Sequence, residues 1–138
     1  MADGEQVDVK SAKYQIQLVT AAKAITASGL QTLAELNTTN VSEIYVQMTP
    51  DGDAFTAFTI QAEPTGEGDY ETFFNTAGQF TTPPANSKLI GTNGLDLTTL
   101  ADGVLGSFIL NTRSFGKVKL QATGAASITV KVVVNGEE

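Results

Sequence analysis

Apolar and polar side chains alternate one for one over the last third of the chain. Val118, Leu120 and Ala122 alternate with Lys117, Lys119 and Gln121. In the following run, Ile128, Val130, Val132 and Val134 hold one parity, and Thr129, Lys131 and Val133 the other. Successive strand residues point to opposite faces, so each run predicts a strand with one apolar and one largely wet face. The preceding stretch, GVLGSFILNTR, predicts a third strand. Gly116 and Gly124-Ala125-Ala126 are the expected breaks between the three.

The same reading extends upstream. Tyr14 to Thr20 alternates as a first strand. Ala21 to Leu36 carries two overlapping patterns: Leu30, Leu33 and Ala34 have helical spacing, whereas Leu30, Thr32, Ala34 and Leu36 have strand spacing. Gly29 and the threonines disfavour a long helix, so extended structure with a turn at Ser28-Gly29 is expected. Ile44, Val46 and Met48 predict a strand ending at Pro50, and Asp51-Gly52-Asp53 predicts a hairpin turn into the next. In that next strand, Phe55 and Ala57 differ in parity from Phe58, Ile60 and Ala62, which predicts a bulge near Ala57. Pro64 to Asp69 reads as a loop. Tyr70–Thr76, Gln79–Thr82 and Lys88–Ile90 read as shorter strands, and Asp96 as the cap of a single helical turn over Leu97 to Ala101.

About eight or nine strands, with turn signals roughly every 8–12 residues, predict an all-β fold, an antiparallel β-sandwich or barrel. The helix–strand alternation of a parallel α/β sheet is absent from the pattern. Residues 1–13 are polar apart from Val7 and Val9 and predict an N-terminal arm; residues 14–138 predict a single sandwich domain. Phe73 and Phe74 are adjacent on one predicted strand, so one of the two must point away from a one-sided core. With Val133 on the wet face of the last strand, they predict apolar surface left over for a homo-oligomer, a dimer or trimer. Val7 and Val9 share one side of an extended arm, with Tyr14 at the entry to the first strand, and such an arm could join a neighbour's sheet edge. Val7, Val9, Tyr14, Phe73, Phe74 and Val133 are therefore the candidate interface residues.

Composition sharpens the picture. Nineteen threonines suit half-exposed strands. A net charge of −7 argues against a nucleic-acid partner, since phosphate binding needs clustered Lys and Arg. No apolar run approaches the length of a membrane span, and the acidic start MADGEQVDVKSAKYQ lacks the features of a secretory signal. Synthesis in a cytoplasm is the expectation.

Candidate chemistry is sparse. The chain has no histidine and no cysteine, which removes the commonest nucleophile–base pairs and transition-metal sites and predicts a non-enzyme without a cofactor. Paired carboxylates can hydrolyse glycosides or hold calcium, and Asp51/Asp53 and Glu67/Asp69 are the closest pairs. Both lie beside glycine in predicted turns, which explains them without a ligand, and neither has EF-hand spacing. Of the ten aromatic residues, the nine from Tyr45 to Phe115 sit mostly among apolar neighbours, as core residues do.

The short polar arm, the Thr/Gly/Ala-rich chain without Cys or His, the segment EIYVQMTPDGD and the closing KVKLQATGAASITVKVVV together resemble a known group. They are similar to the small accessory proteins that decorate or cement the heads of tailed bacteriophages. The similarity spans most of the chain and lies in its general character. It implies a jelly-roll fold and a major capsid protein as partner. It also implies a place on the virion exterior, where an acidic chain is spared the repulsion of packaged DNA. The rival expectation is a carbohydrate- or receptor-binding sandwich of the kind found in tail fibres; the absence of Trp counts against it.

Overall fold

The computed structural model describes residues 15–64, 71–72, 88–90 and 97–137. Among the described residues nine strands follow in order: β1 Gln15–Ile25, β2 Gln31–Asn37, β3 Glu43–Asp51, β4 Phe55–Pro64, β5 Glu71–Thr72, β6 Lys88–Ile90, β7 Gly106–Asn111, β8 Phe115–Gly124 and β9 Ile128–Glu137. A single 3₁₀ turn at Leu97–Thr99 precedes β7, in the place where a helical turn is expected. The strands form two antiparallel sheets, β1-β9-β3-β7-β6 and β2-β8-β4-β5, packed against each other as a sandwich.

The pairing has a simple logic. β1 pairs with β9, β2 with β8, β3 with β7 and β4 with β5, all antiparallel. The chain is thus one long ribbon doubled back on itself and then rolled. Rolling places β1 to β4, and again β7 to β9, alternately in the two sheets, and the β3·β9 and β4·β8 ladders close the turns of the roll. This is the strand order of a jelly roll, with the short β6 added outside β7.

The interior is the apolar parity of β3, β4, β7, β8 and β9. Ile44, Val46 and Met48 of β3, Phe108 and Leu110 of β7, and Val130, Val132 and Val134 of β9 line one sheet; Phe58, Ile60 and Ala62 of β4 and Val118, Leu120 and Ala122 of β8 line the other. The bulge in β4 appears where parity predicts it, between Phe55 and Ala57. It turns both Phe55 and Phe58 inward, where their rings stack at 6.2 Å. Phe58 in turn meets Phe108 of the facing sheet at 6.1 Å, tilted by 58°.

A second bulge resolves the double pattern of Ala21–Leu36. The register of β2 shifts between Thr32 and Ala34, so the neighbours Leu33 and Ala34 are both buried. The helix-like spacing is the trace of that bulge. The turn before it falls at residues 26–30, with Gly29 at φ 92°, and the Gln31 side chain holds it. Its Nε2 donates to the carbonyls of Thr26 (2.8 Å) and Gly29 (3.0 Å), and its Oε1 accepts from Thr26 N–H (3.0 Å).

Several expected boundaries move. The first strand runs on to Ile25 rather than ending at Thr20. Asp51-Gly52-Asp53 is not a hairpin: β3 and β4 belong to different sheets, and these residues turn a corner between them. Pro50 does not stop β3. Its carbonyl accepts from Gly103 N–H (2.8 Å), and a residue's N–H and C=O share one side of an antiparallel strand. The missing N–H therefore faces away from β9, and the β9 ladder loses nothing. Gly116 lies inside β8, its carbonyl accepting from Thr38 N–H (2.9 Å), and the break falls at residues 112–114 instead. The expected strands over Tyr70–Thr76 and Gln79–Thr82 lie outside the described residues, apart from Glu71–Thr72.

Among the described residues, one buried side-chain group is unsatisfied. Thr59 sits between the inward-facing Phe58 and Ile60, so it belongs to the outer face of its sheet, yet only 7% of it is exposed. Its hydroxyl has no hydrogen-bond partner. A buried hydroxyl without a partner costs free energy that a methyl group of the same shape does not. Thr59→Val is expected to leave stability unchanged or raise it by about 1 kcal/mol in urea unfolding. A loss of stability would mean that the hydroxyl has a partner.

Candidate interaction surface

Of the six candidate interface residues, Val133 is among the described residues; Val7, Val9, Tyr14, Phe73 and Phe74 lie outside them. Val133 is where its parity puts it, on the outer face of the five-stranded sheet, half-buried. Register fixes its neighbours. One row across the sheet reads Thr20, Val133, Gln47, Ser107; the next reads Ala22, Lys131, Thr49; a third contains Asn135, Tyr45 and Ile109. The centre of this face is thus uncharged and partly apolar, with Lys131 on one side of it. A shallow cleft of about 190 Å³ opens there, lined by Gln47, Thr49, Leu105, Lys131 and Val133.

Leu105 enlarges the apolar area. It is 52% exposed, and Val104 beside it is 40% exposed, because β7 begins only at Gly106. The sequence pattern placed both within the GVLGSFIL strand and gave no sign of their exposure. Leu30, 48% exposed, lies in the β1–β2 turn at the same end of the sandwich. That end is tied together by main-chain bonds between loops: Gly124 N–H to Thr26 O (3.1 Å), Ala125 N–H to Ala54 O (2.9 Å) and Phe55 N–H to Leu100 O (2.9 Å).

Two acidic residues at this end, Asp53 and Asp102, have structural work to do. Asp102 Oδ1 accepts from Gly52 N–H (3.0 Å), and Asp53 Oδ1 accepts from Ala54 N–H (2.8 Å). Both satisfy corner amides, as turn carboxylates commonly do. Among the described residues no three His, Cys, Asp or Glu side chains gather as a metal site would require. Glu67 and Asp69 lie outside the described residues.

The opposite end carries a cleft that the sequence did not announce. Thr38, Thr39, Asn40, Val41 and Ser42 from the β2–β3 connection, with Arg113 from the β7–β8 connection and Phe115 at the start of β8, line about 450 Å³. Hydrogen bonds stitch the two connections: Thr38 Oγ1 to Phe115 O (2.8 Å), Thr112 Oγ1 to Val41 O (2.6 Å) and Thr112 N–H to Ser42 O (2.9 Å). Arg113 is the only arginine in the chain, which is the one signal sequence reading could have used.

Comparison with protein families, with characterised proteins and with solved structures gives no match for this chain.

Proposed function

We propose that the chain is a virion structural protein that binds the outside of a phage capsid and cements neighbouring major capsid subunits. The observation that supports this best is the outer face of the five-stranded sheet. Ala22, Tyr45, Ile109 and Val133 lie on its adjoining rows, and the exposed Leu105 stands at its margin. A face of low charge and mixed polarity suits docking onto another folded protein. The net charge of −7 suits the exterior of a shell, where phosphate repulsion from packaged DNA is weakest.

The mechanism is mechanical. A filled shell pushes outward on its joints, and a protein that binds across a joint stabilises the assembled state by mass action. Each contact can be weak, because copies on one shell act together once the first contacts form. Self-association into dimers or trimers would serve the same end by linking two attachment points.

The test is co-sedimentation with empty phage shells assembled from a major capsid protein. Saturable binding is expected, and Val133→Asp should weaken it about tenfold or more, by burying a carboxylate in the contact, while leaving the circular dichroism spectrum unchanged. Deleting residues 1–13 should lower occupancy at limiting concentration without unfolding the sandwich. Absence of binding by the unaltered protein overturns the proposal; equal occupancy for the Val133 variant removes the outer face from it.

A further inference from the structure

We propose that the end cleft around Arg113 is a binding site for a carboxylate carried on a hydroxylated ring, that is, an acidic sugar unit. The site lies away from the sheet face discussed above and stands independently of the shell-binding proposal. Its two connections are held by the hydrogen bonds already described, so the cleft is formed before any ligand arrives. Prior organisation of this kind lowers the ordering cost of binding.

The charge is the first clue. In a chain of net charge −7, the single arginine is exposed at a cleft, and its guanidinium has no ion pair or hydrogen bond among the described residues. A guanidinium presents a planar fork of donors that matches a carboxylate in two parallel bonds.

The main chain then discriminates between anions. A phosphate cradle is built from free backbone N–H groups or several cations. Here the N–H groups of Thr39, Val41, Ser42 and Arg113 are already given to Asn37 Oδ1 (3.0 Å), Thr38 O (3.0 Å), Glu137 O (2.7 Å) and Asn111 Oδ1 (3.0 Å). Of the lining residues, Asn40 alone keeps an uncommitted N–H among the described residues, and one fork with a lone N–H suits a singly charged carboxylate better than a phosphate.

The remaining lining suggests what carries the carboxylate. About 450 Å³ is within the usual range for small-molecule sites and is far more than one carboxylate fills. The Thr39 hydroxyl and the Asn40 side-chain amide have no partner among the described residues. Ser42 Oγ donates to Glu137 O (3.1 Å) and keeps its acceptor capacity. Asn40 is held at φ 65°, the left-handed region that asparagine tolerates, and lies at the tip of its connection. Hydroxyls and an amide around an arginine offer partners to ring hydroxyls, which an acidic peptide side chain would leave unused.

The experiment is an NMR titration of the full chain with glucuronate, using glucose, acetate and a hexaglutamate peptide as comparisons. Saturable shifts confined to Thr39–Ser42 and Arg113 are expected with glucuronate, with glucose and acetate each weaker by about tenfold or more. Arg113→Gln should abolish the response and Arg113→Lys should keep part of it, with unchanged melting temperatures because the side chain is exposed and unpaired. Acetate matching glucuronate would reduce the site to a bare anion contact and overturn the proposal. Tighter binding of hexaglutamate would reassign it to an acidic peptide. A response unaltered by Arg113→Gln, or no saturation by glucuronate, would also overturn it.

Discussion

Phe108→Ala is expected to cost about 3–5 kcal/mol of folding stability, a large part of the roughly 5–15 kcal/mol that holds an ordinary domain together. Phe108 is fully buried in β7, and its ring meets Phe58 of the facing sheet at 6.1 Å. Phe58 stacks on Phe55 in turn, so three rings join the two sheets. The cavity left by a missing ring is lined from both sheets, whose ladders on either side restrict its collapse. Thermal unfolding should move down by about 10–20 °C, given the usual dependence of melting temperature on stability for a domain of this size. A cost under about 1 kcal/mol would mean that the sheets are not pinned by this cluster.

Gly124→Ala is expected to cost about 1–3 kcal/mol, and Gly124→Val more, although glycine to alanine in a strand is ordinarily mild or favourable. A Cβ built on Gly124 would stand 2.6 Å from the carbonyl oxygen of Ala126 and 3.1 Å from Cγ1 of Ile128. The first of these is backbone, which cannot rotate aside as a side chain can. Gly124 N–H is also given to Thr26 O (3.1 Å), so moving the corner would disturb the β1–β2 turn as well. The φ of Gly124 is not positive, which makes the requirement one of space rather than of backbone conformation. Denaturant midpoints should fall with an unchanged m-value; no fall would show that the corner relaxes freely.

Gly124 shows how far a sequence can be read. Its position beside Ala125-Ala126 marks a break between strands, and the break is there. The reason for glycine at that point, a carbonyl 2.6 Å from the absent Cβ, exists only once the corner has closed. The same division runs through the fold. Side-chain parity is a local property, so the inward faces of β3, β8 and β9 and the bulge between Phe55 and Ala57 were legible from the alternation alone. The turn at Gly29 was legible for a similar reason, since backbone preference belongs to a few neighbouring residues.

Partner choice is different. Asp51-Gly52-Asp53 has the chemistry of a hairpin, and a hairpin would satisfy the same backbone groups. Only the burial of apolar faces on both sheets sends β4 to the opposite side and pairs β3 with β7 and β9 instead. The double pattern around Leu33 and Ala34 was ambiguous because a bulge mixes strand parity with helical spacing, and the core alone selected between them. Leu105 looked like strand interior until β7 was seen to begin at Gly106. The Arg113 cleft joins Val41 to Thr112 across 71 positions of chain. The sequence determined which residues of each strand face inward; the tertiary structure decided which strands meet. Many strand pairings offer similar hydrogen bonds, and only one of them buries all the apolar faces together.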